Sequence, residues 1–225
     1  QQDIARAAGV SDGLRRREAQ GRCPDAVLVA ADPARDARVF EPLVAALADI
    51  TPRVDVLRPG TVAFPTRGPS RYHGGDAALA ARVAEVLVRG DSRGLTPVVA
   101  TGARVGVADG IFAAHCASLP GPPGRSLGPG DPTVPDDVVA GAGATRVVPV
   151  GASPAFLGPW PVTVAAAHLD VPEAHDTADV LARLGLPTLA GVAALEPRDV
   201  LARFGEVGSW LHRLARGLDP RPLAP

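Results

Sequence analysis

Hydrophobic positions change their spacing several times along the chain, and each change marks an element. Residues 3–24 read as two short helices around the turn Gly9-Val10-Ser11-Asp12-Gly13, closed by Cys23-Pro24. Ala26 to Ala30 is a continuous apolar run of strand length. Asp32-Pro33 then offers an N-cap and a first-turn proline, and Phe40, Leu43, Val44 and Leu47 recur at helical spacing until Thr51-Pro52. Val54 and Val56 on one side of Arg58-Pro59-Gly60, with Val62 and Phe64 on the other, alternate as a β-hairpin does. Gly74-Gly75-Asp76 opens a helix with Leu79, Val83, Val86 and Leu87 on one face. Val98 to Val107 reads as a strand region, and Ile111, Phe112 and Cys116 begin another helix after Asp109.

The order strand, helix, hairpin, helix, strand, helix predicts an α+β sheet with helices on one face. Between residues 119 and 143, 12 of 25 positions are glycine or proline, too many for a packed core, so 119–145 is expected to be a linker. Beyond Arg146 to Val150 the pattern is helical. Asp179 to Leu184 and Leu189 to Leu195 flank the turn Gly185-Leu186-Pro187-Thr188, a helix-hairpin-helix pattern. Pro197 to Phe204 stops at Gly205, and Gly208 to Gly217 forms the last helix. Such a turn is expected to present backbone N–H groups at the start of its second helix, where a phosphate binds well.

Composition narrows the class. A length of 225 residues at 46% hydrophobic content suffices for a buried core. No apolar run nears the roughly 20 residues of a membrane span, and no signal-peptide pattern opens the chain, so no membrane contact and a cytoplasmic location are expected. Cys23 and Cys116 are too few for a disulfide framework and read as small hydrophobes. His73, His115, His168, His175 and His212 follow no metal-ligand spacing. All 23 basic residues are arginine, as a GC-rich coding sequence produces, and methionine is absent, so the chain is expected to be a piece of a longer protein. A net charge of −1 supplies no global attraction for nucleic acid, so any DNA contact must be local. The candidates are Arg15, Arg16, Arg17 and Arg22 near the start, and Arg198, Arg203, Arg213, Arg216 and Arg221 near the end. Each cluster taken alone reads first as a solvated helix face.

Several strings occur in the order of a known family: Ala7-Ala8-Gly9-Val10, Gly13-Leu14-Arg15-Arg16-Arg17-Glu18-Ala19-Gln20, Cys23-Pro24, Thr51-Pro52-Arg53, the hairpin Val54 to Phe64, and Arg213-Leu214-Ala215-Arg216-Gly217. Together they resemble the Y-family (translesion) DNA polymerases over nearly the full chain, and in particular the noncatalytic ImuB-type members of DNA-damage mutagenesis cassettes. The resemblance implies partial fingers at 1–24, a ferredoxin-like palm at 25–118, the linker at 119–145, and an all-helical thumb with its helix-hairpin-helix at 146–225.

Family members that are active polymerases carry a Ser-Ile-Asp-Glu-Ala hairpin, because two-metal phosphoryl transfer needs carboxylates to hold both ions. Aligned through Leu57, this chain places Gly60 and Thr61 at the acid positions, with Arg58 in the same turn. Of the family's nucleotide-contact string only Arg6 remains, with Asp3 where a tyrosine stands. A lysine-bearing helix start becomes Asp109-Gly110-Ile111, with His115 where a second lysine is common.

The expectation is therefore a noncatalytic adaptor in SOS-induced error-prone translesion synthesis, without catalytic residues, metal or cofactor, and nucleoid-associated. Weak DNA contact is expected through Gly185, Leu186, Pro187, Thr188, Arg213 and Arg216. By resemblance its partners are the sliding clamp, a RecA-like cassette protein and a C-family error-prone polymerase, met mostly through regions outside residues 1–225. Two rival readings stand beside it. One is an active Mg²⁺-dependent translesion polymerase whose second metal site is rebuilt from Asp55 or Asp109. The other is a nonspecific DNA-binding module.

Overall fold

The computed structural model describes residues 8–10, 16–27, 29–30, 32–89, 103–122, 140–141 and 143–219. Asp3, Arg6, Arg15, Arg221, the string around Gly13, residues 98–102 of the expected strand and most of the expected linker lie outside them. By contact density the chain divides into residues 1–37 and 38–225.

In the first unit, α1 (Arg16–Arg22) is held by an i,i+4 pair between Glu18 and Arg22 at 2.8 Å, and Arg22 also donates to the Gly9 carbonyl at 2.6 Å. The strand expected at Ala26 to Ala30 is not found at its described positions. Val27 and Val29 are 79% and 69% exposed, and their backbone joins no ladder there. A continuous apolar run becomes a strand only where a neighbour satisfies its peptide groups. Helix α2 (Pro33–Leu47) starts as expected, with the Asp32 carboxylate accepting from the Arg35 N–H at 2.9 Å.

The second unit holds the rest of α2 and both sheets formed by the described residues. Leu43, Ala46 and Leu47 pack against Leu79, Val83, Val86 and Leu87 of α4 (Asp76–Arg89), with Val54, Val62, Phe64 and Val105 at the margin. Full burial of each of these Leu and Val side chains contributes about 1.5–3 kcal/mol. The hairpin forms as read, β1 (Asp55–Arg58) antiparallel to β2 (Thr61–Ala63). Between it and α4 lies α3 (Arg67–His73), a short helix with no buried residue, ended by Gly74 in the left-handed region at φ 90°.

A second sheet has the order β3-β5-β4. Strand β3 (Arg104–Val107) runs parallel to β5 (Gly143–Val147), which pairs antiparallel with β4 (Ala140–Gly141). Residues 140–145 of the expected linker are thus strand apart from Ala142, which is outside the described set. Their glycines and the polar Thr145-Arg146 pair concealed a central strand whose two polar side chains are only 9% and 5% exposed. Gly106 of β3 lets α5 (Ile111–Ser118) lie close. A Cβ there would stand 2.1 Å from the Ala114 carbonyl oxygen and 2.6 Å from the Ser118 nitrogen.

The helices α6 (Ser153–Leu157), α7 (Val162–Leu169), α8 (Pro172–Arg183), α9 (Leu189–Ala193) and α10 (Pro197–Ala215) complete the chain. Their core is continuous with α5: Phe112 and Cys116 share one cluster with Leu157, Trp160, Leu181, Leu189, Leu211 and Leu214. Gly205, read as a helix stop, is a bend inside α10 at φ 64° and ψ −155°. Among the described residues no helix is long and apolar enough to cross a membrane.

Candidate functional site

The hairpin is shaped by its turn residues. Pro59 and Gly60 reverse the chain, Gly60 at φ 87°, a conformation costly for a side-chain-bearing residue. Arg58 faces Thr61 across the turn, its Nε donating to Thr61 Oγ1 at 3.4 Å, and the register shifts between Val56 and Arg58. Gly60 and Thr61 therefore build the reversal and bring no charge to it.

The only carboxylate in the hairpin is that of Asp55, paired in register with Ala63. The other candidate ligand, Asp109, is occupied: its Oδ2 accepts from the Gly151 N–H at 2.7 Å and lies 3.4 Å from Ser153 Oγ, which fastens the start of α6. Among the described residues no group of three or more His, Cys, Asp or Glu side chains could hold a metal ion. The described carboxylates do not fit a two-metal centre.

Two histidines far apart in sequence come together on α5 and α7. The rings of His115 and His168 lie 5.9 Å apart, and His168 also meets Phe112 at 5.0 Å. Burial, then the Arg58 guanidinium, then His168 lower the His115 pKa to about 4. At neutral pH His115 is uncharged, so it does not replace the cation of the lysine that resemblance puts there. No local signal in the sequence marks this pair.

The helix-hairpin-helix turn has the expected backbone but not the expected donors. Gly185 adopts φ 86° and its N–H bonds to the Ala182 carbonyl, while the Leu186 N–H bonds to Leu181. The first N–H groups of α9 were expected to face a phosphate. Instead Leu189 donates to the Trp160 carbonyl at 2.8 Å, Ala190 to Gly158 at 3.0 Å, and Gly191 to Thr188 Oγ1 at 3.4 Å. Pro161 and Thr188 also form an antiparallel bridge. Pro187 and Thr188 thus tie the 158–162 segment to the start of α9, whose first three N–H groups already have acceptors, while Gly185 and Leu186 bond back onto α8.

Arg213 and Arg216 are exposed near the end of α10. The structure groups them with Arg198, Pro197, Leu201, Ser209, His212 and Leu218 around a shallow cleft of about 340 Å³, whose lining includes no residue of the 185–188 turn. Sequence reading treated Arg198 and Arg213 as members of one terminal cluster but could not see the cleft, because Gly205 looked like an end rather than a bend.

Over 220 residues the chain is 26% identical to DNA polymerase IV of Moorella thermoacetica, covering 96% of this chain and 46% of that protein. It is 23% identical over 219 residues to DNA polymerase IV of Dehalococcoides mccartyi, covering 97% and 48%. The chain spans about half the length of the curated relatives it matches. No family model matches it. The similarity to Y-family polymerases expected from the strings is therefore present along nearly the whole chain. The expectation that the protein is not an enzyme is corrected by the same finding, since both of these relatives are named as a polymerase.

Proposed function

We propose that this chain is the polymerase-like part of a protein that carries out translesion DNA synthesis, with primer–template DNA as its substrate class. The observation behind this reading is the match to DNA polymerase IV along 96–97% of the chain, which leaves no long unmatched segment to carry an unrelated activity. In this reading 25–118 serves as palm and 146–225 as thumb, and the buried cluster that α5 shares with α6–α10 supports packing of the one against the other. The sliding clamp, a RecA-like protein and a C-family error-prone polymerase are proposed as partners on the ImuB-type resemblance.

The test is primer extension by the full-length protein on undamaged and abasic templates, with Mg²⁺ or Mn²⁺ and with and without the clamp. Template-directed incorporation past the lesion is the expected result. A full-length protein that neither extends nor binds primer–template above a neutral control protein overturns the reading.

A further inference from the structure

The cleft in α10 has a chemistry of its own. Because Gly205 leaves the helical region, Pro197, Arg198 and Leu201 of the first limb face Ser209, His212, Arg213 and Arg216 of the second, with Leu218 beyond the helix end. A left-handed residue at this point costs glycine little, so the bend is stable and not strained. His212 is a fixed wall, 3% exposed, with its Nε2 3.0 Å from the Leu195 carbonyl oxygen. Ser209 is engaged too, its hydroxyl donating to the Gly205 carbonyl at 3.2 Å.

What remains for a ligand is apolar surface and positive charge. Leu201 and Leu218 are 56% and 50% exposed, large side chains left half in water beside Pro197. Arg198, Arg213 and Arg216 rim them, and no carboxylate lines the cleft. Among the described residues the acid that pairs with a rim arginine is Asp199, 3.7 Å from Arg198 with both side chains mostly exposed, a pair too solvated to neutralise it. Arg213 and Arg216 make no ion pair with a described residue.

We propose that this cleft docks a short acidic peptide segment of a partner protein, an apolar anchor seated on Leu201 and Leu218 and flanking carboxylates held by Arg198, Arg213 and Arg216. Arginine forks match carboxylates in two-point contacts, and arginine is enriched at interface centres. A nucleic acid backbone fits less well. Phosphate contacts draw on hydroxyl and backbone N–H donors as well as arginine, and here Ser209 is spent and the wall is a helix flank. Leu201 and Leu218 would gain nothing from a phosphate.

The experiment selects phage-displayed random octapeptides on the full-length protein, then measures the enriched peptides by fluorescence anisotropy against wild type, an Arg213→Glu/Arg216→Glu variant and a Leu201→Ser variant. All three positions are exposed, and circular dichroism checks each fold; Leu218→Ser stands in if Leu201→Ser unfolds. The expected result is enrichment of peptides with three or more acids around one Leu, Ile or Phe, with affinity falling at least tenfold in both variants. No enrichment, or peptides insensitive to either variant, overturns the proposal. A 20-base-pair duplex that binds in dependence on Arg213 and Arg216 but not on Leu201, while peptides do not bind, overturns it in favour of a phosphate site. Primer extension is read separately, so failure of the docking site leaves the polymerase reading where it stands.

Discussion

The Asp219 carboxylate accepts a hydrogen bond from the Phe112 backbone N–H at 2.8 Å, across 107 positions of sequence. Helix α5 begins at Gly110, which has no side chain to cap it, so a residue beyond the last helix supplies the cap. The negative charge also suits the positive end of the helix dipole. Asp219→Ala should lower stability by about 1 kcal/mol, in the range for loss of an N-cap, and Asp219→Asn by less. Urea unfolding of the two variants beside wild type checks the order.

Gly106 packs where no side chain fits. All three atoms nearest a Cβ there are backbone atoms of α5, the closest at 2.1 Å, so neither side can yield by a rotamer change. Gly106→Ala should destabilise by about 3 kcal/mol, the upper part of the overpacking range. Gly68, in α3 with nothing within 4 Å of its Cβ, is the contrast, and Gly68→Ala should leave stability unchanged or raise it by up to about 1 kcal/mol.

Elements with a regular apolar stripe were legible before the fold was known. Leu43 and Leu47, then Leu79, Val83, Val86 and Leu87, carry the helical period and are all buried, and the hairpin followed from alternation around Pro59-Gly60. Elements that depend on a distant partner were not. Val27 and Val29 read as a strand but are exposed, while Thr145 reads as the end of a linker but is buried in a strand. Helix α3 has no stripe to read. At the candidate site the sequence places the turn at Gly185, yet the carbonyls of Trp160 and Gly158 that accept from Leu189 and Ala190 at the start of α9 lie about thirty residues upstream. Local chemistry predicts a donor; only tertiary structure shows whether it is already spent.

Gly185 has a structural role. Its φ of 86° is left-handed and its Cβ direction is open, so Gly185→Ala meets backbone cost without a clash. The variant should lose about 1 kcal/mol of stability and keep the duplex-DNA affinity of wild type. Thermal melts and a DNA titration at fixed salt separate the two effects. A large loss of affinity with unchanged stability would return the turn to the role of a phosphate contact.

Arg146 is nearly buried and its Nη1 donates to the carbonyls of Ala117 and Leu119, at 2.9 and 3.0 Å, where α5 ends. The side chain thereby joins β5 to the C-terminal end of α5, where a cation is also favoured by the dipole. Arg146→Met keeps much of the volume but leaves those carbonyls without this donor. It should cost about 2 kcal/mol. Arg146→Lys, with one compact ammonium group, should recover part of the loss. Denaturant midpoints with unchanged m-values are the expected signature.

His115 makes stability depend on pH with a definite sign. Its folded pKa is about 4 against an ordinary 6.5, lowered first by burial and then by Arg58 and His168. Between these values the unfolded chain binds a proton that the folded chain does not, so stability rises with pH through the window and falls as the solution is acidified from 6.5 towards 4. Above 6.5 the imidazole is neutral in both states and contributes no slope. His115→Gln removes the titration while keeping a polar side chain of similar reach. The wild-type unfolding free energy should therefore drop more steeply than the variant's between pH 6.5 and 4, and the two curves should run parallel above pH 7. Equal slopes below pH 6.5 would show that His115 is protonated as readily in the fold as in the open chain, and that Arg58 and burial do not set its charge.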